Sequence, residues 1–140
     1  DIDIRAHNRV AIESHPLGGY IQMIQGSSIE ADTIAQVLRA AEGYNKVLVF
    51  LDSMHTHNHV LAELNAYASL ASLGSYCVVF DTFVEDMPAG FFADRPWDVN
   101  NNPKTAVSEW LEGHPEFETD KNWQKKLMVT VAPDGFLRRK

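Results

Sequence analysis

The chain has 140 residues, 45% of them apolar and 22% charged, which is enough for one domain with a real core and typical of globular proteins. Nineteen acids against twelve bases give a net charge of −7, which argues against nucleic acid as a partner and leaves a small-molecule substrate as the expectation. The single cysteine, Cys77, lies in an apolar run and cannot staple the chain, no signal peptide is visible and no run is long enough to cross a membrane, so a cytoplasmic setting without a membrane partner is expected.

The chain opens on "DIDIRAHNR", with no methionine and with Ile2 and Ile4 alternating with acids, so residues 1–4 read as the end of a strand and the whole as a piece of a longer domain. A weak helix follows over "RAHNRVAIESH", then a turn at Pro16 and "LGGY". Alternation of Ile21 and Met23 with polar residues predicts a short strand over 20–26. Ser27 and Glu30 form an S-x-x-E capping box ahead of a helix whose Ile34, Val37, Leu38 and Ala41 make one stripe, closed by Gly43.

"KVLVFLD" (46–52) is nearly continuous in apolar residues, as a central parallel strand buried on both faces would be. The next helix carries Val60, Leu61, Leu64, Tyr67 and Ala68 on its stripe and stops at Gly74. "SYCVVFD" (75–81) is a second buried strand that, like the first, ends in an aspartate. Residues 82–104 are rich in Pro, Asp, Asn and Gly and read as a long loop, a feature that in compact domains is usually functional. A short helix over "KTAVSEWLEGH", a strand at "FETD" and a strand over "LMVTVAPDGFLRRK" bent at "PDG" complete one domain, 1–140.

This alternation predicts an α/β layer fold with a mostly parallel sheet, whose ligands bind beyond the carboxyl ends of the strands. Asp1 or Asp3, Asp52 and Asp81 would then share one rim. Two aspartates at neighbouring strand ends suit Mg²⁺, which takes few protein carboxylates and keeps waters. Each alone could equally cap the next helix.

His55, His57 and His59 recur at every second position after Asp52. Extended, they would share a face, and H-x-H is similar to the zinc motif of metallo-β-lactamase-like hydrolases, H-x-H-x-D-H. The aspartate of that motif is missing, since residue 58 is Asn, and only His114 lies downstream. For His57 and His59 the plainer reading is a solvated helix start capped by Thr56 or Asn58. His55, three residues past Asp52, stands at the mouth of the predicted site, and imidazoles are suited to take a proton near neutrality.

"DIDIRAHNR", "IQGSSIE", "LDSMHTHNHVLAEL", "GSYCVVFDT", "NNPKTAV" and "TVAPDGFLRR", in that order, resemble the cephalosporin hydroxylase family, which includes rhamnosyl O-methyltransferases. The resemblance covers nearly the whole chain. It implies a Rossmann-like methyltransferase sheet with helices on both faces, S-adenosylmethionine as cofactor and a Mg²⁺ site similar to that of catechol O-methyltransferases. Carried onto this sequence, it places Asp1, with Asp3 as fallback, at the cofactor ribose and Ser27 and Ser28 along the adenine edge. Asp52 and Asp81 match the metal-binding acids, and His55 stands where catechol-type enzymes carry a lysine base.

Two departures stand out. Phe80 replaces the second acid common in the family, leaving Thr82 or water as a third oxygen. The first strand and its glycine-rich loop are missing, and "LGGY" follows no strand that could substitute. The family's sheet places that strand between segments 1–4 and 46–52, so a gap is expected there, and unpaired edges favour a homo-oligomer. The chain therefore reads as the C-terminal two-thirds of a methyltransferase-like fold.

The function expected is Mg²⁺-assisted SN2 transfer of a methyl group from S-adenosylmethionine to a sugar or natural-product hydroxyl. His55 would remove the proton, and Trp97, Phe91 and Phe92 would cover the substrate. The alternatives are a non-catalytic remnant serving as a binding or oligomerisation module, and a zinc hydrolase using His55, His57 and His59. An iron hydroxylase triad of two histidines and one carboxylate has no convincing spacing here.

Overall fold

The apolar run at 46–52 becomes a strand only at its centre, Val49–Leu51 (β1), in a computed structural model that describes all 140 residues. β1 pairs in parallel with Tyr76–Val79 (β2), in the register Val49 to Cys77, Phe50 to Val78 and Leu51 to Val79. β2 pairs antiparallel with Phe136–Arg139 (β4), and β4 antiparallel with Phe117–Thr119 (β3). The sheet order is β1-β2-β4-β3. The fold is α/β as expected, but its sheet is mixed rather than mostly parallel, because the last two strands come back as a hairpin-like pair around a short helix.

Five α-helices accompany the sheet: Ala6–Ser14 (α1), Ala31–Ala41 (α2), His57–Tyr67 (α3), Pro103–Glu112 (α4) and Lys121–Leu127 (α5). The core lies on one face of the sheet. Val49, Leu51, Cys77, Val79 and Leu137 point into it and meet Val60, Leu64 and Tyr67 of α3 and Ala106, Val107 and Trp110 of α4. Leu64 and Leu137 are almost fully buried, and burial of a leucine side chain contributes about 1.5–3 kcal/mol. Burial pushes the Cys77 thiol up to about 12, with help from the Glu63 charge, so Cys77 is an inert core residue. The second face is thinly covered: Trp123 of α5 stands edge-on to Tyr76, and Phe50 is 57% exposed.

The exposure of Phe50, and of Leu48 at 50%, corrects the expectation of a strand buried on both faces. β1 pairs only with β2, so the backbone groups along its other edge have no ladder partner. A cavity of about 510 Å³ runs along that edge, walled on the far side by Asp1, Gln22 and Ile24. The cavity thus lies between segments 1–4 and 46–52.

Neither residues 1–4 nor 20–26 form strands. Their alternation is real, but they have only each other to pair with. The N-terminal ammonium of Asp1 donates to Ile24 O (3.1 Å) and Gly26 N donates to Asp1 O (3.0 Å), the pattern of a single parallel bridge. Gly18–Tyr20 is instead a 3₁₀ turn.

Three further expectations change. The capping box of Ser27 and Glu30 does not form; α2 begins at Ala31 behind Glu30, whose side chain makes no cap bond. Residues 127–131 are no strand, because Leu127 closes α5 and β4 starts only at Phe136. The bend at "PDG" is where the chain returns to the sheet: a β-carbon on Gly135 would collide with the Val79 carbonyl, so only glycine permits that approach.

The long loop at 82–104 holds a 3₁₀ turn, Thr82–Asp86, and ends in a strong helix signal. Asn102, fully buried, accepts from Lys104 N (3.0 Å) and Thr105 N (3.3 Å), while Thr105 Oγ1 accepts from Asn102 N (3.3 Å), with Pro103 at the first helical position. Its amide also donates to Glu85 and to Asp98 O, tying the loop to α4. Asn102→Ala removes the cap and orphans those acceptors, and is expected to cost at least about 2 kcal/mol in urea denaturation. A loss under about 0.5 kcal/mol would mean that the loop is held by something else.

Candidate active site

The parallel register of β1 and β2 decides what meets at their carboxyl ends. Leu51 opposite Val79 sets the next residues, Asp52 after β1 and Phe80 then Asp81 after β2, along the same rim. With His55 they form a cluster in which one ligand atom from each lies within 4.8 Å of the others. His55 Nε2 is 2.9 Å from Asp81 Oδ2. Trp97, from the long loop, stands edge-on to the His55 ring, with centroids 4.7 Å apart, and the Arg95 guanidinium lies 5.4 Å from the Trp97 centroid.

Asp81 adopts the left-handed conformation, φ 55° and ψ 24°, as the chain leaves β2 for the 3₁₀ turn. Aspartate tolerates this region better than most residues, yet such geometry persists only where surrounding packing holds it. Here Thr82 is fully buried and its hydroxyl donates to Pro133 O (2.7 Å), which pins the residue after Asp81. Thr82 is thus engaged elsewhere, and Phe80 turns to Phe50, with centroids 5.9 Å apart.

Burial raises the Asp81 carboxyl above the usual carboxylate range; the facing His55 opposes that rise and the nearby charge of Asp52 adds to it. A carboxyl whose ionisation burial and a neighbouring acid disfavour, at an open rim, fits a hard divalent cation, which relieves the repulsion. The donor set fits Mg²⁺: Asp52 and Asp81 could supply oxygens, while His55 Nε2 faces Asp81 Oδ2 at 2.9 Å.

The three histidines do not form one metal site. Helix α3 begins at His57, so the every-second spacing is not extended and the rings diverge. His57 Nδ1 meets Thr105 Oγ1 at 2.8 Å and its Nε2 lies 3.2 Å from Glu109, tying α3 to α4. His59 Nε2 is 3.0 Å from Ser28 Oγ and 3.6 Å from Glu63 Oε1. His114 stacks on Trp110, with centroids 3.8 Å apart, and serves the core.

A second, more polar cavity of about 700 Å³ adjoins the cluster. Asp52, Trp97, Asp1, Ser27, Ser28, His59 and Glu63 are among the residues that line it. Asp3 lines neither this cavity nor the groove, and its backbone N–H donates to Asp1 Oδ1 (3.3 Å). Of the loop aromatics, only Trp97 lines this cavity; Phe91 and Phe92 pack on one another.

Sequence reasoning missed Glu63, a buried acid whose signal was its place within the apolar stripe of Val60, Leu64 and Tyr67. It also missed the partnership of Arg95 and Trp97 with His55, which no spacing announces.

Comparison with known proteins adds the family. Residues 1–140 match the family model described as rhamnosyl O-methyltransferase/CmcI. Proteins named rhamnosyl O-methyltransferase from Mycobacterium tuberculosis and Mycobacterium bovis are 31% identical over 123 residues, covering 85% of this chain and 47% of each relative. The Mycobacterium leprae protein of that name is 30% identical over 123 residues, 86% of this chain and 51% of the relative. The chain thus spans about half the length of the curated relatives it matches, and no solved structure matches it. No helix is long and apolar enough to cross a membrane. With its whole length covered by the family model, the chain belongs to the rhamnosyl O-methyltransferase/CmcI family.

Proposed function

We propose that this chain carries the catalytic rim of an O-methyltransferase that moves a methyl group from S-adenosylmethionine to a sugar hydroxyl with Mg²⁺ at Asp52 and Asp81. The observation that carries the reading is the meeting of Asp52, His55 and Asp81 within 4.8 Å at two adjacent strand ends, in a member of this family. When bound, the methyl donor supplies an electrophilic carbon, and the cation lowers the proton affinity of an oxygen beside it.

The chain's own residues do the rest. Asp52 and Asp81 present carboxylate oxygens from strands fixed by a shared ladder, so their spacing varies little. His55 accepts the hydroxyl proton, and Asp81 Oδ2, 2.9 Å from its Nε2, stabilises the imidazolium that results. Trp97 packs against the His55 ring and holds it at the rim. Asp1 would accept from the ribose hydroxyls, with Asp3 held beside it, and Ser27 and Ser28 would edge the adenine in the cavity they line. A second reading, a binding module without catalysis, draws on the open groove along β1.

Thermal denaturation separates the two. S-adenosylhomocysteine with Mg²⁺ is expected to raise Tm, with Asp52→Asn removing the Mg²⁺-dependent part; no shift with either would favour the module. In a methyl-transfer assay on a rhamnosyl acceptor, His55→Ala is expected to lower kcat about 10²- to 10⁴-fold with a smaller change in KM. Unchanged kcat would remove His55 as the base.

The raised Asp81 gives a pH test. Its folded value lies above the unfolded one, so the stability it contributes is complete below the unfolded value and is lost as pH rises through the folded value. Without metal at neutral pH, Asp81→Asn, which keeps a side chain suited to the left-handed backbone, is expected to raise Tm. Mg²⁺ affinity of the unaltered chain should weaken as pH falls through the same titration. A lower Tm for the variant would reverse the assigned sign.

A further inference from the structure

Helix α3 has no cap of its own. Thr56 stands at the cap position but its side chain makes no cap bond, and Asn58 lies inside the helix. The N–H of His57, the first helical residue, donates instead to Asn101 Oδ1 (3.0 Å), 44 residues further along the chain. At the other end of that amide, Asn101 Nδ2 donates to Pro96 O (2.8 Å). A donor on one side and an acceptor on the other leave the amide a single orientation.

These two bonds straddle the rim histidine. His57 is two residues past His55, and Pro96 precedes Trp97, whose ring stands edge-on to the His55 imidazole with centroids 4.7 Å apart. One side chain thus anchors the backbone on both sides of the His55–Trp97 contact. Asn101 is in turn fixed by its neighbours. It exchanges backbone hydrogen bonds with Asp98 (3.0 and 3.2 Å) across Val99 and Asn100. Asn100 takes up the left-handed conformation, φ 67°, and its N–H donates to Glu85 Oε2 (2.8 Å). Asn102, next in the chain, is the buried cap of α4. The amide is therefore presented from a firm base, where the long loop returns to the core.

We infer that Asn101 is a positioning residue: it seats Trp97 against the His55 ring and so keeps that ring turned toward Asp81. The role rests on the methyltransferase reading. It acts through Trp97, since Asn101 meets the backbone of the loop and of α3 rather than the rim acids. A catalytic group displaced by about 1 Å can lose on the order of a hundredfold in rate.

Asn101→Asp separates this role from capping. Its carboxylate still accepts from the His57 N–H, and a negative charge suits a helix N-terminus, but it offers Pro96 O a repelling oxygen in place of a donor. The three tryptophans give three indole N–H signals in a nitrogen-labelled NMR spectrum of the whole chain, and Trp97→Phe identifies the signal of Trp97. Asn101→Asp is expected to move that signal in the direction His55→Ala moves it, with Trp110 and Trp123 unmoved and Tm little changed. In the methyl-transfer assay kcat should fall about tenfold to a hundredfold with KM changed less than about threefold, and Asn101→Asp added to Trp97→Ala should cost nothing more. An unmoved Trp97 signal, or a loss of kcat seen with Asn101→Ala and absent with Asn101→Asp, would make Asn101 a cap alone and overturn the role. Should Asn101→Asp not fold, Asn101→Ala in the same spectrum decides it: a Trp97 signal left in place would refute the seating. Absence of methyl transfer by the unaltered chain would count against the methyltransferase reading alone, because the indole spectrum reads the seating without turnover.

Discussion

The parallel ladder between Val49–Leu51 and Cys77–Val79 is the constraint on which the site depends. A parallel pair has both carboxyl ends at the same edge, so each strand delivers its next residues to one rim. An antiparallel pairing of the same strands would send Asp52 and Asp81 to opposite edges. The ladder is short, and what holds it is burial: Val49, Leu51, Cys77 and Val79 all face α3 and α4. Core packing thus fixes the distance between two charges that would otherwise separate.

Those two charges are set against their environment. Asp81 is forced into a left-handed turn by the buried Thr82 behind it, and its carboxyl is raised by burial and by Asp52. Neither feature helps the fold. The rise of the carboxyl is opposed by the facing His55. One layer deeper, Glu63 Oε1 lies 3.6 Å from His59 Nε2 while its Oε2 has no hydrogen-bond partner. Strain and uncompensated charge are concentrated around the two cavities, where a ligand would meet them.

Much of this was legible in the sequence because it rests on local patterns. The α2 stripe, the apolar runs of β1 and β2 and the aspartates that end them follow from residue order, and those aspartates meet as expected. What escaped depended on partners that sequence order does not supply. Residues 20–26 alternate like a strand but have a single bridging neighbour. Helix α5, "KNWQKKL", offers only Trp123 and Leu127 as apolar residues and no stripe; its one signal was Asp120, whose side chain accepts from Asn122 N (2.9 Å). The H-x-H spacing misled because a helix starts in the middle of it.

The two halves of the site are held by different forces. The acids at the rim depend on the sheet and on buried apolar contacts, which give way only with the core. Asp1, Ser27 and Ser28 lie across the open groove and are held to the rest by polar contacts from one face of α3. His59 reaches Ser28 Oγ at 3.0 Å and the Tyr67 hydroxyl donates to the Ser28 carbonyl, while Glu63, one turn from each, holds Ser53. Residues 59, 63 and 67 recur at four-residue steps, so a single helical stripe joins the far wall to the strand end that carries Asp52.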